Sequence, residues 1–170
     1  VIGGGTMGAG IAAAALDAGL KVTLIERDAE ALAKGEAHLK AIVEAAVKRG
    51  KLAADAAAQR LAGVAASTDY AALADVDLVI EAVFEDLDVK RAVFAQAAAA
   101  ARADAMLATN TSYLDPEAIF AGLAHPQRCL GLHFFSPAQV MRLLEIVPIK
   151  ATSPETLATG FALARLMNKT

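Results

Sequence analysis

The chain predicts an α/β fold of the Rossmann type, a doubly wound and mainly parallel sheet with an antiparallel strand pair near its C-terminal end. Three observations carry that expectation. Short apolar runs alternate with longer helical runs, the pattern of βαβ units rather than of a bundle or a sandwich. The opening residues, Val1 to Gly8, place a glycine-rich turn between a strand end and a helix start. Two strand-like runs, 131–137 and 143–148, follow one another with no helical stretch between them, which suits antiparallel neighbours.

The elements follow in order. Val1-Ile2 reads as the tail of a first strand, and a helix starts near Met7 with a small-residue surface over 12–16. Gly19 ends that helix, and 22–25 is the second strand. Asp28 caps a long helix running to about Arg49, which Gly50 terminates. A further helical piece covers 55–61, a weak strand 64–66, and a single turn capped by Asp69 follows. The run 77–83 is the clearest buried strand, and a helix over 88–101 sets Val89, Val93 and Ala97 on one face. A strand at 105–109 and a short helix at 116–120 precede the antiparallel pair. Ser153-Pro154-Glu155 then supplies a cap, a first-turn proline and a first-turn acid for a final helix through about Met167.

With 170 residues the chain suits one domain, 1–170, with a substantial core. Hydrophobic residues at 56% and charged residues at 21% exclude a disordered or collagen-like chain. No apolar run reaches the roughly 18 residues of a membrane span. A net charge of −3 argues against a nucleic-acid surface, which needs a basic stripe. It leaves room for an anionic small ligand held by backbone amides. The single cysteine, Cys129, sits in an apolar run and reads as a packing residue; it excludes a disulfide framework and suits a reducing cytoplasm. Residue 1 lies inside a strand and 168–170 stop where another strand is expected. The sequence therefore reads as a domain excerpt, truncated at both ends.

Gly3, Gly5 and Gly8 have the Gly-x-Gly-x-x-Gly spacing of a dinucleotide turn. The first permits the tight turn, the second lets backbone approach a pyrophosphate, and the third lets helix and strand pack closely. Thr6 and Met7 open the helix, whose free amides and dipole favour phosphate. Glu26, at the carboxyl end of the second strand, suits hydrogen bonds from ribose hydroxyls and so favours NAD over NADP. Arg27 beside it is either solvated or a contact for a 2′-phosphate. A histidine ending one apolar run, His133, and a glutamate inside the next, Glu145, would face each other across an antiparallel ladder. A carboxylate-oriented histidine is a common general acid or base near neutral pH.

Taken together, these motifs resemble the NAD-binding domain of the 3-hydroxyacyl-CoA dehydrogenase family. The resemblance runs from the turn through Met7-Gly8-Ala9-Gly10-Ile11-Ala12, then Glu81-Ala82-Val83-Phe84-Glu85-Asp86 with Lys90. It continues in Thr109-Asn110-Thr111-Ser112 and in His133-Phe134-Phe135 through Glu145. It implies that His133 removes the 3-hydroxyl proton of a 3-hydroxyacyl-CoA while hydride passes to NAD. Glu145 then orients the imidazole, and Ser112 hydrogen-bonds the substrate oxygen. It places Ala82, Val83, Glu85, Lys90 and Asn110 along the cofactor crevice, although a solvated ion pair explains Glu85 and Lys90 equally well. Ser136, after the two phenylalanines, is similar to the multifunctional fatty-acid oxidation enzymes. The family also implies a following helical domain that completes the active site and forms a homo-oligomer.

Other readings stay open at this level. A different Rossmann dehydrogenase, acting on a β-hydroxyacid or sugar acid, would use a helix lysine as its acid/base. A non-catalytic module would bind NAD and do no chemistry. His38 and His125 read as surface residues. Lys34, Lys40, Lys48 and Lys51 fit either CoA phosphates or a charge-laced solvent face.

Overall fold

Val1 and Ile2 enter the sheet at its centre. Ile2 forms parallel bridges to Ile25 on one side and Glu81 on the other. Its N–H donates to Ile80 O at 2.9 Å, and its carbonyl accepts from Ala82 N at 2.8 Å. This is a computed structural model, and it describes residues 1–170. Around that segment β1 (Val22–Ile25) pairs in parallel with β2 (Val64–Ser67). On the other side β3 (Leu78–Glu81) pairs with β4 (Met106–Thr109), and β4 with β5 (Cys129–Phe134), again in parallel. The last strand, β6 (Leu144–Pro148), runs antiparallel to β5. The sheet is thus the expected parallel array with one antiparallel edge pair.

Five α-helices lie between the strands and a sixth follows the last: α1 (Thr6–Asp17), α2 (Ala29–Lys48), α3 (Ala54–Ala62), α4 (Leu87–Ala100), α5 (Pro116–Ile119) and α6 (Pro154–Leu166). Successive strand residues point to opposite faces, so the sheet carries two cores. On one face Ile80, Met106, Ala108, Leu130 and Leu132 pack with buried residues of α1, α2 and α6. On the other, Val79, Leu107 and Cys129 pack with Phe94 and Ala97 of α4 and Ile119 of α5. Both faces are covered, as a parallel sheet requires. Helix α1 is buried continuously from Gly8 to Leu16, which is why its residues are small.

Local chemistry sets the helix ends. Asp28 accepts from Ala31 N, Asp86 from Val89 N and Ser153 from Thr156 N, each a side-chain N-cap. Gly19 and Gly50 follow helices at φ +79° and +68°, where an L side chain would be strained. Helix α4 corrects the sequence reading twice. Asp86 rather than Asp88 starts it, and its buried stripe is Lys90, Phe94 and Ala97, while Val89 is exposed. A lysine in the buried stripe shifts the apparent apolar face by one position. No helix is long and apolar enough to cross a membrane. Cys129 is fully buried, and burial pushes its thiol up to about 11, against the opposing charge of Arg128.

Candidate active site and dinucleotide crevice

The glycine turn follows the central strand segment, and its geometry requires the glycines. Gly3 lies at φ +96°, and a Cβ there would stand 2.7 Å from Ala82 O. A Cβ on Gly8 would sit 1.7 Å from Gly3 O, so only glycine lets α1 start this close to the strand. Gly5 is different: a Cβ there would meet nothing within 4 Å, leaving open space in front of the turn. Gly5 is the N-cap of α1 and makes no side-chain cap, and the first turn of α1 holds no acid. The first amides, those of Thr6 and Met7 among them, thus face the open side without a side-chain acceptor, which fits a dinucleotide pyrophosphate.

The turn is also clamped from behind. Glu26 Oε1 accepts from Gly4 N at 2.7 Å, and its Oε2 accepts from Arg27 N at 3.1 Å. A Cβ on Gly35 of α2 would come within 3.0 Å of Gly4 Cα, so turn and helix touch backbone to backbone. His38, exposed as expected, still brings Nδ1 to 3.2 Å from Gly4 O. Neither Gly35 nor His38 stood out in sequence, because each contact depends on how α2 crosses the turn. Arg27 pairs with Asp28 at 3.1 Å and is otherwise in solvent. Lys34 and Lys40 pair with Glu30 and Glu44 along α2, as a charge-laced solvent face would.

Under the crevice lies a buried polar network. Glu81, at the end of β3, is fully buried; its Oε1 accepts from Lys90 Nζ at 2.6 Å and Val83 N at 2.7 Å. Its Oε2 accepts from Thr109 Oγ1 at 2.7 Å. Lys90 is 1% exposed, and its ammonium also lies 3.2 Å from Glu85 Oε2. The solvated ion pair is therefore overturned: Glu81 provides a buried counter-charge, so Lys90 reaches the crevice only from beneath, through Glu85 and the Val83 carbonyl. The N–H groups of Ala82 and Val83 are taken by Ile2 O and Glu81, leaving side chains and carbonyls for a ligand.

Glu85 ties β3 to the loop after β4. It accepts from the Thr111 hydroxyl and, at 2.8 Å, from Ser112 N. Burial would raise this carboxyl, but those hydrogen bonds and the charge of Lys90 outweigh it and hold Glu85 below the usual carboxylate range. Asn110 Oδ1 accepts from Phe134 N at 2.8 Å, fixing the end of β5 against β4. Glu81, Thr109 and Thr111 were not singled out as site residues. The available signal was an acid at the end of an otherwise apolar strand, which needs a buried partner.

At the sheet edge, His133 of β5 and Glu145 of β6 are register partners. His133 Nδ1 lies 2.8 Å from Glu145 Oε2, which leaves Nε2 for other chemistry. The imidazole is 18% exposed and packs against Phe135 with ring centroids 4.4 Å apart. Ser112 meets this pair across a groove of about 200 Å³, floored by Gly131 and Val147. A larger depression of about 280 Å³, between the ends of α1 and α6, contains none of these residues. The structure thus brings the three proposed chemical residues to one groove and the glycine turn, Glu26 and Glu85 to the strand ends near it.

Comparison with known proteins decides the family. Residues 1–170 match the family described as 3-hydroxyacyl-CoA dehydrogenase, NAD binding domain. The chain belongs to that family. It is 46% identical over 157 residues to 3-hydroxyadipyl-CoA dehydrogenase of Escherichia coli (strain K12), covering 92% of this chain and 33% of that protein. It is 40% identical over 171 residues to the peroxisomal bifunctional enzyme of Cavia porcellus, covering 99% of this chain and 23% of that protein. The crystal structure of 3-hydroxybutyryl-CoA dehydrogenase from Escherichia coli K12 superposes with a TM-score of 0.95 at 44% identity. That match covers all of this chain and 36% of the other. This NAD-binding domain therefore spans about a third or less of each of these three relatives. NAD is its cofactor, and the open turn, the uncapped α1 and Glu26 are the features that fit it.

Proposed function

We propose that the full-length protein oxidises 3-hydroxyacyl-CoA to 3-oxoacyl-CoA in fatty-acid β-oxidation, with His133 as the acid/base. The observation that carries this reading is the 2.8 Å pairing of His133 Nδ1 with Glu145 Oε2 beside Ser112. Bound NAD supplies the hydride acceptor. The protein's own residues handle the proton and the orientation. Ser112 holds the substrate oxygen, and His133 Nε2 takes the hydroxyl proton as the C3–O bond gains double-bond character. Glu145 fixes the tautomer and offsets the positive charge that the ring acquires. Gly3, Gly5, Thr6, Met7 and Gly8 hold the pyrophosphate, and Glu26 the adenosine ribose. Ala82, Val83, Glu85, Lys90 and Asn110 shape the crevice at the strand ends.

The names of the relatives support an acyl-CoA substrate, and the bifunctional relative supports a multifunctional parent of the kind Ser136 suggests. We further propose that a helical domain beyond this one completes the site and forms a homo-oligomer. The single buried cysteine supports a reducing compartment, and we place the enzyme in the cytoplasm. The deciding test is acetoacetyl-CoA reduction by NADH on the full-length protein beside His133→Gln and Glu145→Gln. Both variants should lose kcat, by about 100-fold or more for His133→Gln, with little change in NADH affinity. Wild-type turnover in His133→Gln would remove the proposed base.

A further inference from the structure

We propose that the buried carboxylate Glu81 is a positioning residue for Ser112, acting through two hydrogen-bonded limbs that fix the loop after β4. The inference rests on the dehydrogenase reading, in which Ser112 contacts the substrate oxygen. The first limb runs from Glu81 Oε1 to Lys90 Nζ at 2.6 Å and from that ammonium to Glu85 Oε2 at 3.2 Å. The other oxygen of Glu85 accepts from the Thr111 hydroxyl and from Ser112 N at 2.8 Å. The second limb runs from Glu81 Oε2 to the Thr109 hydroxyl at 2.7 Å, whose oxygen accepts from Thr111 N at 3.3 Å. Glu81 is the one group from which both limbs start.

Burial explains why such an arrangement positions rather than merely packs. Glu81 and Thr109 are fully buried and Lys90 is 1% exposed, so water cannot substitute for a lost partner. With Glu81 neutral, the one counter-charge left to Lys90 is Glu85, which it already meets at 3.2 Å and which must then balance the buried ammonium alone. Neutralising Glu81 therefore draws Glu85 toward the ammonium and away from Ser112. The backbone of the loop would remain, but Ser112 would lose its register against His133 across the groove. Displacements of about an ångström at such a contact are enough to lower turnover about 100-fold.

The test is a double-mutant cycle on the full-length protein, with kcat expressed per NADH-binding site so that unfolded molecules do not count. Glu81→Gln should lower kcat about 30-fold in the wild-type background and less than about 3-fold in a Ser112→Ala background, because both changes remove one interaction. A Glu81 that only holds the fold would change the amount of NADH-binding protein and leave kcat per site unmoved. Thr109→Val removes one limb without burying an unpaired charge, and Thr109→Ser keeps its hydroxyl. The valine variant should fall about 5-fold and couple to Ser112 in the same way, while the serine variant should stay near wild type. Equal fold losses in both backgrounds, for both Glu81→Gln and Thr109→Val, would overturn the inference while leaving the dehydrogenase reading intact. Wild-type turnover in both Ser112→Ala and His133→Gln would overturn the two together.

Discussion

Glu85 shows how one side chain reports on the state of the crevice. Its burial favours the neutral acid, yet the Thr111 hydroxyl, the Ser112 amide and Lys90 together keep it ionised below the ordinary range. A carboxyl whose folded pKa is depressed contributes stability that is fully present above its unfolded pKa and is lost as pH falls through the folded pKa. The affected window therefore lies below about pH 4.3, the ordinary glutamate value. Glu85→Gln should lower stability at neutral pH and flatten the acid limb of the stability profile below that value, measured by urea unfolding across pH. An unchanged acid slope would mean that Glu85 is not held as drawn. The same titration would free the loop bearing Ser112, so loss of activity should accompany loss of stability in acid.

At the scale of elements, the glycine turn is held between α1 in front and α2 behind, and α2 is the less obvious partner. Alanine in place of a helix-interior glycine ordinarily gains roughly 0.5–1 kcal/mol. At Gly35 the new Cβ would press on Gly4 Cα at 3.0 Å and on Leu24 Cδ2 at 3.2 Å. Gly4 cannot readily retreat, since Glu26 holds its N–H and His38 approaches its carbonyl. Gly35→Ala should therefore lower stability rather than raise it, and should weaken NADH binding in a fluorescence titration. A stabilised variant with unchanged affinity would show that the contact yields. The contrast with the sequence reading is instructive here. The alternation of strands and helices, the Asp28 and Ser153 caps and the pairing of His133 with Glu145 were legible, since each follows from local pattern or from the two-residue period of strands. Gly35 was not, because its role depends on where two helices cross. Lys90 stayed open for a different reason: a lysine reads equally well as solvated until the structure shows it buried against Glu81.

For the whole molecule, the open groove is the feature that most constrains behaviour. The carboxylate of Glu145 is 53% exposed, and Ser112 is likewise exposed at the rim, so water reaches both the group that orients His133 and the group proposed to hold the substrate oxygen. Preorganised polar groups are most effective where water is excluded, and nothing in this domain covers the groove. A second feature lies beside the separate depression between the ends of α1 and α6. Val140, Met141 and Leu143 ahead of β6 and Leu166 at the end of α6 are exposed large apolar residues. Thr170 already hydrogen-bonds this region, donating to Arg142 O at 2.7 Å and accepting from Leu144 N at 2.9 Å. The three relatives compared above are about three times as long as this chain or longer, and the helical domain proposed above is the candidate to cover the groove. The cofactor turn needs no such cover, because Gly3, Gly8, Gly35 and Glu26 shape it from within this domain. Binding and turnover should therefore separate. The 170-residue chain should bind NADH within about 10-fold of the full-length affinity, yet reduce acetoacetyl-CoA at least about 100-fold more slowly, the scale expected when solvent exclusion and substrate positioning are lost. Isothermal titration with NADH and a steady-state assay on the same preparation would check both halves. Turnover near that of the full-length protein would show that the groove works uncovered and would relocate the source of rate to His133, Glu145 and Ser112 alone.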